Sequence, residues 1–299
     1  MQYKLTKYQI YGRIIRIEQG EEQSMKFYIY TDKSNPQAAQ AAYRLEKMYP
    51  HHISALKEAD VIVSLGGDGT TIGALREGLR HNKKVYGMNL GHLGAYQNKF
   101  YIDNLPERIE AATEVIMHPL TVEADVCGNS IKAHAWNEVY IRSGDNPQQA
   151  RLNGMVDGWA EPFIIHGDGY LLSTAMGSCA YNLAAGGHKL HFREKLLAST
   201  AIAAIRGVQD ILPENARVHI DVLAPEKRNV KLFTDNIVLG PIDSCDIYRD
   251  FSKKTTLLWD NHKVKEFEAQ GERIKLARHE DIAFALTSQG FYHNSYCRT

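Results

Sequence analysis

A glycine-rich loop with one carboxylate inside it constrains this 299-residue chain more than any other feature. The loop, Gly66-Gly67-Asp68-Gly69-Thr70, follows the apolar run Asp60–Leu65, which predicts a short buried strand. A helix is predicted after it, over Thr70–His81. Glycines let a backbone approach a ligand closely, and the free N–H groups at a helix start favour phosphate. The spacing is neither the dinucleotide G-x-G-x-x-G nor the P-loop G-K-[ST].

Asp68 is the unusual member of this loop, because a carboxylate repels a polyphosphate. Its presence is tolerable where it binds a bridging cation or takes a proton from an acceptor hydroxyl. The alternative interpretation is a tight strand-to-helix turn in which Asp68 only caps the helix. The three glycines around Asp68 favour a functional loop over that alternative.

Strands alternate with helices on both sides of the loop. The predicted elements are strand Lys26–Tyr30, helix Ala38–Met48, strand Asp60–Leu65, helix Thr70–His81 and strand Lys84–Leu90. This alternation requires crossover connections, so it predicts an α/β N-terminal domain with a mainly parallel sheet.

The pattern changes near residue 118, where longer strands joined by turns begin. Runs such as Thr121–Val126, Arg217–Leu223 and Thr255–Trp259, with Gly, Pro, Asn and Asp between them, predict a β-rich, antiparallel sandwich-like C-terminal domain. We therefore divide the chain into an N-terminal extension (1–24, with one strand over Tyr8–Ile17), an α/β nucleotide-binding domain (25–118), a β-rich domain (119–265) and a C-terminal tail (266–299). The tail is expected to pack back on the first domain, and the site to lie between the two domains.

Composition excludes several classes of function. Lys+Arg and Asp+Glu number 35 each, and a net charge of zero argues against a general nucleic-acid binder. The apolar runs fall short of the roughly 18 residues that cross a bilayer, and the first residues form no apolar signal segment. Cys127, Cys179, Cys245 and Cys297 lack metal-ligand spacing, which predicts reduced thiols in the cytoplasm.

A second motif, Asn137-Glu138, lies in a strand predicted over Ala135–Arg142. Strand alternation sends the two side chains to opposite faces unless a bulge intervenes. An amide beside a carboxylate suits ribose hydroxyls or a purine edge. Taken alone, the pair is more simply explained by one polar residue that faces solvent.

A third motif runs from Gly167 to Gly187. An acidic turn at Asp168 leads into an apolar strand, and a helix is predicted over Ser178–Ala185 with Ser178 as its N-cap. This places Tyr181 near the first helical turn, where its ring can stack on a base or, equally well, fill the core. No histidine at a recognisable spacing makes Ser178 a nucleophile, and Cys179 is predicted to be a buried small residue.

Four histidines raise the question of a metal site. His51, His52, His188 and His191 lack the spacing of a ligand set, so we predict solvated surface histidines and no protein-held metal.

Together the motifs resemble the NAD kinase family, which phosphorylates the adenosine ribose 2′-hydroxyl of NAD. The resemblance runs from about Met25 to Asp260 in the order of the family, and includes Asn89-Leu90-Gly91-His92-Leu93-Gly94. The glycine loop alone also occurs in diacylglycerol-type lipid kinases and phosphofructokinases, whereas the combination is specific. The family fold, an α/β domain followed by a β-rich domain, agrees with the prediction above.

The resemblance implies a role for each site residue. Asp68 corresponds to the catalytic carboxylate and also contacts NAD together with Gly69. The donor phosphates are implied to lie against Gly66, Gly67, Gly69 and Thr70. The NAD contacts are implied to be Asn137, Glu138, Asp168, Ala180 and Tyr181. Family members are usually homo-oligomers, so a dimer or tetramer is expected.

The chain departs from the family pattern in the third motif. Thr-Pro-Thr-Gly-Ser-Thr-Ala-Tyr is usual, whereas this chain has Ala175, Met176 and Cys179 in place of Pro, Thr and Thr. The lost proline and hydroxyls affect loop rigidity and hydrogen bonding, and therefore substrate affinity or the preference between NAD and NADH. Asp235-Asn236 stands where an Asp-Gly turn is usual, a mild change because asparagine tolerates left-handed geometry.

The expected reaction is in-line transfer of a phosphoryl group from ATP, or from polyphosphate, to NAD. The loop has no lysine, so Mg²⁺ or another divalent cation is expected to neutralise the phosphates. Two alternatives stay open at this point: an inactive NAD-binding sensor, and a lipid or sugar kinase with a related loop.

Overall fold

The computed structural model describes residues 5–10, 13–18, 24–32, 34–91, 94–144 and 148–274. The chain divides into two compact units, one that ends at Ala111 and one that begins at Ala112. Leu5–Ile10 (β1) and Arg13–Glu18 (β2) pair antiparallel. The prediction of one strand over Tyr8–Ile17 is therefore wrong, because both halves carry enough β-branched and aromatic residues to pair with each other.

The first unit is an α/β domain, as predicted. Three strands form a parallel sheet with the second in the middle: Phe27–Thr31 (β3), Val61–Gly66 (β4) and Lys84–Asn89 (β5). The short strand Asn98–Lys99 (β6) pairs parallel with β5. The helices of this unit are Pro36–Met48 (α1), Asp68–His81 (α2) and Leu105–Glu110 (α3).

Local sequence explains where α1 and α2 begin and end. The side chain of Asn35 accepts hydrogen bonds from the N–H groups of Gln37 and Ala38, and Pro36 occupies the first turn, where it sacrifices no hydrogen bond. Asn82 ends α2 in the left-handed conformation, which asparagine adopts more readily than most residues. Asn35 thus sets the start of α1, and Asn82 sets the end of the helix that begins in the glycine loop.

The second unit is β-rich and antiparallel, which confirms the predicted fold class. Its strands are Thr113–Met117 (β7), Leu120–Val126 (β8), Asn129–Ala135 (β9), Glu138–Ser143 (β10), Ala150–Val156 (β11), Phe163–Gly167 (β12), Gly169–Thr174 (β13), Leu196–Ile202 (β14), Gln209–Pro213 (β15), Arg217–Val222 (β16), Val230–Thr234 (β17), Ile237–Pro241 (β18), Ser244–Arg249 (β19) and Thr255–Trp259 (β20).

Two six-stranded sheets account for most of these strands. One has the order β12-β11-β16-β19-β8-β9 and the other β15-β14-β13-β10-β17-β18, while β7 pairs antiparallel with β20. Alternate residues of both sheets form one apolar core, in which Leu152, Ile220 and Ile247 of the first sheet pack with Val139, Ile141 and Leu172 of the second. This core fixes β10 and β13, the strands that carry two of the motifs.

Two predicted elements of the second unit are wrong in detail. The strand predicted over Ala135–Arg142 is interrupted, since Trp136 and Asn137 form a bend between β9 and β10. The helix predicted over Ser178–Ala185 is instead a 3₁₀ turn, Gly177–Cys179, and the four-residue helix Tyr181–Ala184 (α4). In both places tertiary hydrogen bonds, described below, override the local pattern.

The last described segment is helical over residues 261–274. The helix predicted over Glu272–Arg278 falls only partly within the described residues, as does the tail as a whole. In the described parts of the chain, helices are too short or too polar to span a bilayer.

The core of the second unit predicts how two isoleucines differ. Ile220→Ala removes a side chain with no exposed surface, whereas Ile205→Ala changes one that is 81% exposed. The first substitution should lower the free energy of unfolding by about 2–5 kcal/mol, and the second by at most about 0.5 kcal/mol. Urea denaturation measures both, and equal losses would contradict the assignment of this core.

Candidate functional site

The glycine loop makes a tight turn from β4 into α2. A Cβ on Gly66 would overlap the side chain of Thr70, so this position requires glycine. Gly67 is the N-cap of α2, and a Cβ on either Gly67 or Gly69 would have no atom within 4 Å. The backbone there is open to a ligand, at the helix end whose N–H groups have no intrahelical acceptors.

Asp68 does not cap the helix that it begins. Its Oδ2 accepts a hydrogen bond from the N–H of Ala95 at 3.0 Å, and its Oδ1 accepts one from the N–H of Tyr96 at 2.9 Å. The carboxylate is half-buried, and an ionised carboxylate has about four acceptor positions. Two therefore remain for a hydroxyl or a cation, so the capping alternative is wrong.

The segment after β5 is organised by Asn89. Its Oδ1 accepts a hydrogen bond from the N–H of Gly91 at 2.8 Å, and a Cβ on Gly94 would overlap its side chain. Gly94 also has a φ of +73°, which favours glycine. These constraints bring Ala95 and Tyr96 to Asp68. His92 and Leu93 of the same motif lie outside the described residues.

The second motif lies in a bend that one carboxylate holds. Oδ1 of Asp235 accepts hydrogen bonds from three successive N–H groups, those of Trp136 (3.0 Å), Asn137 (2.7 Å) and Glu138 (3.3 Å), and Oδ2 accepts a second one from Trp136 at 3.0 Å. The N–H of Asp235 donates in turn to the carbonyl of Glu138 at 3.0 Å. Asp235 thus replaces the strand partner that β10 would otherwise need at this end.

The carbonyl groups of the bend are bound by the third motif. Thr174 donates its hydroxyl to the carbonyl of Trp136 at 2.8 Å and its N–H to the carbonyl of Asn137 at 2.8 Å. A Cβ on Gly177 would overlap the backbone of Asn137. The second and third motifs therefore form one rigid unit, in which Asn137 and Glu138 are both buried.

Glu138 is an unusual carboxyl group. Only 3% of the residue is exposed, and its Oε2 has no hydrogen-bond partner among the described residues. Burial, and secondly the charge of Asp235, raise the pKa of Glu138 to about 8. At neutral pH this side chain therefore holds a proton and can donate a hydrogen bond.

Tyr181 lies near two acidic residues of the motifs, Glu138 and Asp168. Its ring packs edge-on against Tyr140 at 5.1 Å, and Tyr140 stacks on Phe233 at 4.6 Å. Burial raises the pKa of Tyr181, with contributions from Asp168 and Glu138. The structure thus brings Glu138, Asp168 and Tyr181 to one side of the second sheet. Ala180, next to Tyr181, is exposed.

Ser178 has a structural role rather than the predicted N-cap role. It is fully buried, its hydroxyl donates to the carbonyls of Ala175 (2.7 Å) and Leu190 (3.2 Å), and it accepts the N–H of Leu190 at 2.8 Å. Cys179 is exposed, so its prediction as a buried residue is wrong. Ala175 and Met176, the other departures from the family pattern, are buried.

One of the four histidines is also not on the surface. His191 is 7% exposed, and its Nε2 contacts the carbonyl of Phe267 at 3.0 Å. Within the described residues, no three His, Cys, Asp or Glu side chains are grouped so as to hold a metal ion.

The most important residue that the sequence does not identify is Asp235. An acidic residue followed by Asn236 at a hairpin turn was the available signal, and both have positive φ, at +49° and +92°. That pattern predicts a turn between β17 and β18. It does not predict that the carboxylate reaches a bend about a hundred residues earlier in the chain.

The α/β unit carries a glycine loop that is open to phosphate and contains an available carboxylate. The β-rich unit carries an acidic, aromatic face. This fold and these features are typical of a nucleotide-binding phosphotransferase. The profile of the ATP-NAD kinase N-terminal domain matches residues 16–117. An NAD kinase of Hyphomonas neptunium is 38% identical over 247 residues, which cover 81% of this chain and 95% of that relative. An NAD kinase of Brucella suis is 37% identical over 220 residues, or 72% and 85%. The chain belongs to the NAD kinase family.

Solved structures support the same fold at lower sequence identity. Yeast NADH kinase complexed with NADH has a TM-score of 0.69 at 19% identity and covers 83% of this chain and 86% of its own. An NAD kinase of Archaeoglobus fulgidus in complex with ATP has a TM-score of 0.64 at 17% identity, with 83% and 99% coverage.

The bend predicts a graded response to substitution of Asp235. Asp235→Ala leaves three N–H groups without an acceptor, at about 1–3 kcal/mol for each buried group. Asp235→Asn keeps one oxygen acceptor for them but loses the charge and the second acceptor, which Trp136 also uses. Amide hydrogen exchange at residues 136–138 should accelerate strongly in the first variant and modestly in the second. Asp157→Asn, an exposed turn aspartate, is the control. Unchanged protection in Asp235→Ala would contradict the role of this carboxylate.

Glu138 predicts a pH-dependent stability. Its pKa of about 8 lies above the ordinary value of 4.5, so the folded protein retains a proton that the unfolded chain releases. The contribution of Glu138 to stability is fully present below the unfolded pKa of 4.5. It is lost as the pH rises from there through the folded pKa of about 8. An amide does not titrate, so the Tm of Glu138→Gln relative to the wild type should rise between pH 4.5 and about pH 8. A Tm difference that stays constant across that range would contradict the raised pKa.

Proposed function

We propose that this chain transfers the γ-phosphoryl group of ATP to the 2′-hydroxyl of the adenosine ribose of NAD, forming NADP and ADP. The observation that carries the proposal is the half-buried carboxylate of Asp68 in an open glycine loop at a helix start. The names of the curated relatives support NAD as the acceptor, and the archaeal structure with ATP supports ATP as the donor.

Asp68 is assigned as the catalytic residue. Its carboxylate takes the proton of the 2′-hydroxyl as the ribose oxygen bonds to the γ-phosphorus, and the bond from that phosphorus to the β-phosphate oxygen breaks. The N–H groups of Ala95 and Tyr96 hold the carboxylate in place, so positioning requires no movement of the side chain.

The donor phosphates are assigned to the loop backbone at Gly66, Gly67, Gly69 and Thr70. The open space over Gly67 and Gly69 supports this assignment, because the phosphates need close approach to the backbone. The divalent cation, for which we propose Mg²⁺, enters as part of the Mg–ATP substrate. The positive charge of the cation favours a position close to Asp68, the carboxylate of the loop.

NAD is assigned to the residues of the second unit and to the loop residues Asp68 and Gly69. Asn137 and a protonated Glu138 offer hydrogen-bond donors to ribose oxygens, and Tyr181 offers a ring to a base. Asp168 and Ala180 complete the set, both at exposed positions near Tyr181.

The deciding experiment incubates the purified chain with Mg–ATP and NAD, and measures NADP with an NADP-specific dehydrogenase. Formation of NADP is expected. NAD binding by calorimetry without NADP formation, from ATP or polyphosphate, would identify an NAD-binding sensor instead. NADH as acceptor, assayed in parallel, determines the preference between the two substrates.

Three further assignments accompany the proposed reaction. We propose a homo-oligomer, a dimer or tetramer, supported by the exposed Ile237 and Val238 on the edge strand β18. We propose a cytoplasmic location, supported by free thiols at Cys127, Cys179 and Cys245. We propose small-molecule substrates rather than nucleic acid or membrane partners, supported by the zero net charge.

The role of Asp68 predicts the effect of removing its charge. Asp68→Asn should reduce kcat by about 10²–10⁴-fold, because the amide cannot accept the proton. The matched control is Asp103→Asn, an exposed aspartate of the same unit, which should keep wild-type kcat. Steady-state kinetics with Mg–ATP and NAD measure both, and a wild-type kcat in Asp68→Asn would refute the assignment.

A further inference from the structure

One face of β10 carries, in order along the strand, an acidic, an aromatic and a basic side chain. Alternation along the strand places Glu138, Tyr140 and Arg142 on the same side, while Val139 and Ile141 enter the core. Glu138 and Arg142 are four residues apart, or about 13 Å along the strand. The face therefore runs from a buried acid, across an aromatic ring, to an exposed cation.

The neighbouring strand β17 repeats this order. Tyr140 lies opposite Phe233, and Arg142 lies opposite Lys231. Like charges directly opposite one another destabilise an antiparallel pair. On the other side of Arg142, β13 contributes Gly169, which has no side chain to shield the guanidinium. Two cationic residues thus lie opposite one another on this pair of strands.

Arg142 also differs from other arginines of the second unit. Arg217, Arg193 and Arg249 each form an ion pair with a carboxylate. The side chain of Arg142 is exposed, and it forms no hydrogen bond or ion pair with the residues that the structure describes. Its charge lies close enough to lower the pKa of both Tyr140 and Tyr181, against the larger effect of burial. The guanidinium is therefore available beside the aromatic rings.

We propose that Arg142, assisted by Lys231, binds the phosphate groups of the dinucleotide substrate. The inference rests on the proposed function, and it extends the NAD site beyond the residues assigned above. Guanidinium matches the geometry of phosphate oxygens in a bidentate manner, and Arg142 offers it next to rings that suit a base. An extended dinucleotide can contact the acid, the rings and the cations together, with a hydroxyl-bearing ribose at Glu138 and phosphate at Arg142.

The test compares ligands with and without phosphate. Arg142→Ala should raise the KM for NAD by about 10- to 100-fold, the loss of a charged hydrogen bond, with a nearly unchanged kcat. The KM of Arg142→Lys should fall between those of the wild type and Arg142→Ala. Lys231→Ala should raise the KM for NAD less than Arg142→Ala does. Arg44→Ala, an exposed arginine on α1, is the control and should match the wild type. Thermal unfolding checks that each variant folds.

Calorimetry with ADP-ribose and adenosine makes the test independent of phosphoryl transfer. Arg142→Ala should weaken binding of ADP-ribose and leave binding of adenosine unchanged. The affinity for ADP-ribose should decline more steeply with salt in the wild type than in Arg142→Ala. A wild-type affinity of Arg142→Ala for ADP-ribose, or an equal loss for both ligands, would overturn the proposal. A wild-type chain that makes no NADP contradicts the proposed function instead, while the binding comparison still decides the role of Arg142.

Discussion

Hydrogen bonds from three successive backbone N–H groups to the Asp235 carboxylate hold the bend on which the candidate site of the second unit depends. They hold a bend directly before the first residue of β10, and Thr174 binds the carbonyl groups of the same bend from the other side. The backbone is therefore held on both sides by residues distant in sequence. Asn137 and Glu138 owe their position to this arrangement, since an uninterrupted strand would send them to opposite faces.

The charge of Asp235 also affects the protonation of the neighbouring buried acid, Glu138. Asp235 accepts the N–H groups of the bend and lies close enough to Glu138 for its charge to raise the pKa of that acid. That charge, added to burial, keeps Glu138 protonated at neutral pH. Asp235 is thus an acceptor for the backbone, whereas Glu138 holds a proton that it can donate to a hydrogen bond. Asp68, in the other unit, keeps two acceptor positions and suits proton abstraction.

The periodicity of the sequence predicts most of the fold. The five predicted elements of the α/β unit between Lys26 and Leu90 lie within a few residues of their observed bounds, whereas β6 and α3 were not predicted. Thr255–Trp259 matches its prediction in full. Short-range patterns failed where long-range contacts decide, as at the bend and at Ser178, whose buried hydroxyl binds Leu190. The hairpin β1–β2 was predicted as one strand for a related reason, because pairing between two halves leaves no mark in alternation.

Sequence by itself determined the fold class, the family and the glycine loop, because each depends on residue type at short spacing. It also predicted several strands of the two sheets from their alternating apolar positions, but not β11, β12, β14 or β15. Only the tertiary structure decided that Asp235 holds the bend, that Glu138 is a proton donor and that Arg142 faces Lys231. Those properties arise from burial and cross-strand register, which bring together groups about a hundred residues apart.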